Sequence, residues 1–73
     1  MAADIASQSL DFPTAMQRVI DGYQITKAEW QAKGLSDYCE LRDGFLMIHR
    51  EGQWRRWMVS DGDLQGKDWM VRR

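Results

Sequence analysis

Two dipeptides, Asp43-Gly44 and Glu51-Gly52, restrict the fold of this chain more than any other feature of its sequence. Each stands between short runs of β-favouring residues, which is the pattern of a two-residue β-hairpin turn. If both turns are tight, the surrounding segments form an antiparallel meander in which Cys39 faces Ile48. The sequence therefore predicts a meander with a defined pairing register.

Both sides of this meander carry large apolar groups. Tight turns place His49 opposite Trp54 and Phe45 near Met58, on the side away from Cys39. One helix covers only one face of so small a sheet. We therefore expect the second face to be used by the C-terminal segment, a partner subunit or a ligand.

A helix is predicted before the meander, over residues 12–21. Asp11 can cap it, Pro13 suits its first turn, and Gly22 can adopt the left-handed conformation just beyond its end. The apolar residues recur at the spacing of an amphipathic helix: Phe12, Ala15, Met16, Val19 and Ile20.

Shorter signals flank the meander on both sides. Period-two alternation from Tyr23 predicts a short strand that runs toward Trp30, with a loop over residues 31–37, so that Trp30 stands at a strand-to-loop edge. Residues 61–63 read as a turn or a polar ligand loop, and residues 67–71 as a final strand. The predicted fold class is α+β, with one N-terminal amphipathic helix packed on a small antiparallel β-meander.

The domain organisation follows from length. Residues 1–9 lack periodicity and are predicted to form a flexible tail, and residues 10–73 a single domain. A chain of 73 residues buries only about 60% of its unfolded surface, so its core is small. One cysteine and one histidine provide neither a disulfide nor a metal site, which leaves self-association as the expected source of extra stability.

Charge and hydropathy limit the partners. Ten basic residues against eleven acidic ones give no global field for duplex nucleic acid or an anionic membrane. The first nine residues lack a signal-peptide pattern, and no stretch is long and apolar enough to cross a bilayer. The single thiol fits a reducing compartment. We therefore expect a cytoplasmic protein.

No catalytic constellation is evident. Strand alternation places Cys39 and His49 on opposite sides of the meander, where they cannot act as nucleophile and base. Asp61 and Asp63 lie in a turn-rich segment, where at least one is expected to cap backbone amides. We therefore expect a binding protein without catalytic residues, cofactor or metal.

Four tryptophans in so short a chain favour a binding surface, because indoles are common in interfaces and base-stacking sites. Trp30 and Trp54, at the ends of elements, are the leading candidates. Arg55-Arg56 between Trp54 and Trp57 interleaves cations with rings, a combination suited to phosphates and a stacked base. A solvated strand edge explains the same pair equally well.

The order of landmarks from Leu10 to Val71 resembles the second family of Thoeris anti-defence proteins, a small phage domain. The most specific part is a Trp-x-x-Ser-x-x-Asp-Leu-x-x-x-Asp-Trp pattern, which runs from Trp57 to Trp69. The stretch between Trp30 and Trp57 is shorter than is common in that family, with hairpins in place of pocket loops. The remaining landmarks are Asp11-Phe12, Asp21-Gly22 and Lys27-Ala28-Glu29-Trp30.

This resemblance implies a homo-oligomer whose intersubunit pockets sequester a cyclic ADP-ribose isomer, or another small cyclic nucleotide-type ligand, without cleaving it. Lys27 and Arg56 would neutralise phosphate, Trp30 would stack, and Ser60 and Asp63 would bond ribose, while Asp68 and Trp69 would close the sheet. The full set of candidate ligand-binding residues is Lys27, Trp30, Trp54, Arg56, Trp57, Ser60 and Asp63.

A second hypothesis is an inhibitor that blocks a bacterial defence protein, such as a CRISPR effector. Relatives with this domain have been described in that role, and a Trp/Met/Arg surface is suited to it. This hypothesis predicts a flat apolar patch and no enclosed pocket.

Overall fold

The structure, a computed structural model, describes residues 9–72. The predicted flexible tail therefore lies, for residues 1–8, outside the described residues. The elements in chain order are α1 (Phe12–Ile20), β1 (Ile25–Lys27), α2 (Ala28–Ala32), β2 (Tyr38–Arg42), β3 (Phe45–Arg50), β4 (Gln53–Arg56), α3 (Asp61–Gln65) and β5 (Trp69–Val71).

The strands form one antiparallel sheet in the order β4-β3-β2-β1-β5. The first four strands are neighbours in chain order, as in a meander, and β5 returns to pair with β1. Leu10 exchanges two backbone hydrogen bonds with Trp69, so the start of the predicted domain lies beside β5. The α+β prediction, with its N-terminal helix and antiparallel sheet, is confirmed.

Helix α1 forms where the apolar spacing placed it. The Asp11 carboxylate accepts a hydrogen bond from the amide of Thr14 at 3.0 Å. Hydrogen bonding to the Thr14 side chain and, to a smaller extent, to this amide lowers the pKa of the carboxyl. Pro13 occupies the first turn. Gly22, at a φ of 100°, carries the chain away from the helix end. Ala15 and Val19 are the buried residues of its inner face.

Both hairpin turns are tight. Asp43 and Gly44 have φ values of 54° and 84°, and Glu51 and Gly52 have 54° and 78°. Positive φ at both central residues is the type I′ geometry, whose twist matches that of the flanking strands. The predicted register is confirmed, with Cys39 opposite Ile48 and His49 opposite Trp54.

The prediction for Trp30 is wrong. The strand ends at Lys27, and Trp30 lies in the middle of α2 with only 8% of its surface exposed. The segment after Lys27 contains good helix formers, and Asp68 stabilises its start by accepting a hydrogen bond from the amide of Glu29 at 2.9 Å. That partner is 39 residues away in the chain, so no local pattern could indicate it.

The core lies on one side of the sheet. All three helices pack on that side, and Trp69, which is completely buried, occupies its centre. The indole of Trp69 lies 5.4–5.9 Å, centroid to centroid, from the rings of Phe12, Trp30 and Trp57. Three of the four tryptophans thus serve packing, and Trp30, one of the two leading candidates for a binding surface, is among them.

The hairpin geometry gives a stability prediction with an internal control. Gly44→Ala should lower the free energy of unfolding by about 1–2 kcal/mol, because alanine at positive φ brings its Cβ against the backbone. Gly62→Ala should raise it by up to about 1 kcal/mol, since Gly62 lies in α3 without positive φ, and its Cβ would meet only Ser60 Oγ at 3.8 Å. Urea denaturation of both variants measures the difference. Equal effects would contradict the type I′ assignment.

Candidate functional site

A cleft of about 340 Å³ opens on the helix-covered side of the sheet, beside the start of α3. Strands β3 and β4 supply its floor, α2 one wall, and the segment from Trp57 into α3 the other. Its lining residues are Trp30, Ile48, Arg50, Arg55, Arg56, Trp57, Met58, Ser60 and Asp63.

Five of the seven predicted ligand-binding residues border this cleft. They come from separate parts of the chain: α2, the end of β4, and the segment that enters α3. Lys27 and Trp54 do not border it. The five are Trp30, Arg56, Trp57, Ser60 and Asp63.

Lys27 is buried inside the protein. Its ammonium lies 3.5 Å from a carboxylate oxygen of Glu29 and 3.8 Å from one of Asp68, and 5.2 Å from the Trp69 ring centroid. The charge is therefore compensated internally by two carboxylates and one indole. The Glu29 pKa is lowered by its hydrogen bond to Lys33 and, to a smaller extent, by Lys27. The placement of Lys27 favours a role in joining α2 to β5.

Trp54 lies on the opposite side of the sheet, which we call the open face. Among residues 9–72, no helix packs over this side. Alternation along β2, β3 and β4 gives the open face a set of aromatic and cationic side chains. The members of the set are Tyr38, Arg42, Phe45, His49, Trp54 and Arg56.

Strand alternation also separates the two neighbouring arginines of β4. Arg55 shares its side with Trp57 and the cleft, whereas the guanidinium of Arg56 lies 4.5 Å from the Phe45 ring centroid, on the open face. Arg56 borders the cleft without placing its charge there. Arg55, which sequence reasoning did not select, is therefore the cleft cation of the pair. The sequence did contain a signal for this placement: Arg55 is two residues from Trp57, so both face the same side of an extended chain.

Arg50 is the second cleft cation that the sequence did not reveal. Its guanidinium donates a 2.6 Å hydrogen bond to the carboxylate of buried Asp37 and lies 5.9 Å from the Trp30 ring centroid. This ion pair holds the guanidinium in place while about half of the side chain stays exposed, at 47%. Arg50 is thus positioned against the indole and open to an anion.

Ser60 and Asp63 bond to each other across the first turn of α3. Ser60 Oγ accepts a hydrogen bond from the Asp63 amide at 3.1 Å, and the Asp63 carboxylate accepts one from the Ser60 amide at 3.1 Å. This arrangement is a capping box. The expectation that at least one of Asp61 and Asp63 caps a backbone amide is therefore confirmed, by Asp63. The Ser60 hydroxyl hydrogen and the second Asp63 oxygen stay available to a ligand.

Cys39 and His49 occupy opposite sides of the sheet, as predicted. Burial is the main cause that raises the pKa of the Cys39 thiol, and the nearby Asp63 carboxylate raises it further. His49 stacks on Tyr38 with ring centroids 5.0 Å apart. The thiol is therefore protonated at neutral pH and has no contact with the imidazole.

The cleft thus joins two indole walls, from Trp30 and Trp57, to the guanidinium groups of Arg50 and Arg55. A flat ring can pack against the indoles while an anionic group bonds to the arginines. One side of the cleft is open to solvent, at Met58, whose side chain is 84% exposed. Among residues 9–72, no group of three or more His, Cys, Asp or Glu side chains is arranged to hold a metal ion.

Comparison of the sequence with protein-family models and with curated proteins gave no match. The resemblance drawn from the landmarks between Leu10 and Val71 therefore stays a prediction. Within the described part of the chain, none of the helices has the length and apolar character needed to span a membrane.

The capping box predicts a stability role for Ser60 that needs no ligand. Ser60→Ala should lower the free energy of unfolding by about 1 kcal/mol, because the Asp63 amide loses its acceptor. Ser36→Ala, in the exposed loop before β2, is the control and should change it by less than about 0.5 kcal/mol. Chemical denaturation of both ligand-free variants measures the difference, and equal stabilities would refute the capping role.

Proposed function

We propose that this chain is a non-catalytic binding protein that sequesters a small nucleotide-derived signalling molecule, of the cyclic ADP-ribose isomer class, in the cytoplasm of a host cell. The observation that carries the proposal is the pairing of indoles with guanidiniums in one cleft. Trp30 and Trp57 line the cleft with apolar surface for adenine, and Arg50 and Arg55 provide charge-assisted donors for a pyrophosphate.

The size of the cleft supports a small ligand. At about 340 Å³ it lies near the lower end of the volumes found for ligand pockets, roughly 300–1,000 Å³. A ligand of the size of cyclic ADP-ribose would fill it and extend past its open side. Ser60 and Asp63 also line the cleft, and their free hydrogen-bonding groups would contact the ribose hydroxyls.

The open side of the cleft is where a second copy of the chain would add to the site. Met58 is 84% exposed there, and Leu64 of the adjacent α3 is 54% exposed. Covering these side chains would remove apolar surface from water and enclose the ligand. We propose a homo-oligomer whose interface includes Met58 and Leu64, because nanomolar capture requires about −12 kcal/mol and desolvation of the ligand contributes to it.

Sequestration without cleavage fits the chemistry of the cleft residues. The Asp63 carboxylate is engaged with the Ser60 amide, and the protonated Cys39 thiol is buried in the core. Among the described residues that line the cleft, Ser60 Oγ accepts a hydrogen bond from the Asp63 amide and donates none to a carboxylate, so it is not activated as a nucleophile. The alternative hypothesis, a blocker of a defence protein, predicts a flat apolar patch without a pocket, and the presence of the cleft favours the first proposal.

Calorimetric titration with cyclic ADP-ribose isomers tests this proposal. Arg55→Gln should weaken binding about tenfold to a hundredfold, because one charge-assisted hydrogen bond to the anion is lost. Arg18→Gln removes the same charge from α1, outside the cleft, and should change the dissociation constant by less than about twofold. Mass spectrometry of the ligand released by denaturation should return it intact.

Two results would reject the proposal. One is the absence of heat on titration with every isomer at high protein concentration. The other is equal weakening in Arg55→Gln and Arg18→Gln, which would show that net charge rather than the cleft governs binding.

Light scattering of Met58→Lys tests the oligomer separately, since a lysine at a buried interface position should shift the protein toward the monomer.

A further inference from the structure

The open face concentrates positive charge in a protein whose formal net charge is −1. Among residues 9–72, it carries the guanidiniums of Arg42, Arg56 and Arg72 together with the carboxylate of Glu40. That carboxylate already accepts hydrogen bonds from Gln24 and, at 3.3 Å, from Arg42. The surface is therefore locally cationic although the whole chain is not.

Each of these guanidiniums lies on an aromatic ring. The guanidinium carbon of Arg72 is 3.8 Å from the Tyr38 ring centroid, and that of Arg42 is 4.2 Å from the Trp54 ring centroid. The third pair joins Arg56 to Phe45, at 4.5 Å. A guanidinium held in this way keeps one planar face toward solvent. One N–H group of Arg42 is bonded to Glu40 and one of Arg72 to Gln24, at 2.6 Å, so the remaining N–H groups are the ones left for an anion.

The rings beneath the cations are connected across three strands. Tyr38 of β2 stacks on His49 of β3, with centroids 5.0 Å apart, and His49 meets Trp54 of β4 edge to face, also at 5.0 Å. Phe45 extends the aromatic surface along β3 and is 51% exposed. The result is a sheet surface that offers planar groups at intervals of about one strand spacing, roughly 5 Å.

We propose that the open face is a second binding site, for single-stranded nucleic acid. Bases stack on the ring-backed guanidinium planes and on Phe45, and the N–H edges of the arginines bond to phosphates. Three such planes accommodate about three nucleotides. A duplex presents no free base faces and makes only the phosphate contacts, so it binds more weakly.

Charge complementarity favours this occupant over the others. A second copy of the chain would bring the same three arginines against themselves, and like charges across an interface oppose association. An acidic peptide would satisfy the cations, but it has no flat group to stack on their planes. A single strand supplies both the anions and the planar bases.

Fluorescence anisotropy with labelled oligothymidylate of about twelve nucleotides tests the proposal, on full-length protein without the cleft ligand. Binding should be tighter than to a duplex of equal length. It should weaken about tenfold between about 50 and 200 mM salt, as expected for two or three phosphate contacts on a single strand.

Variants locate the site. Arg42→Gln with Arg56→Gln should weaken oligothymidylate binding at least about tenfold. Lys33→Gln with Lys67→Gln removes the same charge away from the open face and should leave binding within about twofold. Phe45→Leu keeps an apolar side chain without the ring, and it should weaken the oligonucleotide about tenfold through lost stacking.

Four outcomes would overturn the proposal. Three concern the ligand: no anisotropy change with the oligonucleotide, equal affinity for single strand and duplex, or equal affinity for an oligoglutamate peptide. The fourth is loss of binding in Arg55→Gln while the Arg42/Arg56 double variant still binds. The last outcome would place the strand in the cleft. Because the titration contains no cyclic ADP-ribose, failure of the cleft proposal does not affect it, and failure here leaves the cleft proposal intact.

Discussion

The burial of Trp69 is the interaction on which the rest of this structure depends. Its indole contacts the rings of Phe12, Trp30 and Trp57, and its Nε1 donates a 3.2 Å hydrogen bond to the backbone carbonyl of Asp63. One side chain therefore joins α1, α2, the end of β4 and α3. In a core this small, large flat side chains supply contact area that several aliphatic residues would otherwise have to provide.

The same packing creates the cleft. Trp30 and Trp57 contact Trp69 on one side, and each retains 8% exposure where it borders the cleft. Their orientations are held by the core, so the cleft is formed before any ligand arrives, which lowers the entropic cost of binding. Arg50 is held in a similar way by its ion pair with Asp37. The proposed binding residues thus rest on groups whose positions are set by folding.

The division of function between the two sides of the sheet follows from strand alternation. Arg55 and Arg56 are neighbours in the chain, yet one belongs to the cleft and the other to the open face. The tight hairpins maintain this division, because a register shift of one residue would exchange the two sides. A cationic surface can therefore exist on a protein with nearly balanced charge, since three arginines share the open face with the carboxylate of Glu40.

The sequence by itself determined the local geometry: the capped helix α1, both type I′ turns and the pairing of Cys39 with Ile48 follow from backbone preferences that nearby residues control. It also indicated five of the nine residues that line the cleft, and three of these, Trp57, Ser60 and Asp63, belong to the Trp57–Trp69 pattern. Only the tertiary structure decided that Trp30 lies in a helix, that buried Lys27 forms ion pairs with Glu29 and Asp68, and that three indoles belong to the core. Those outcomes depend on contacts between distant segments, such as Asp68 with α2, and no local preference encodes them.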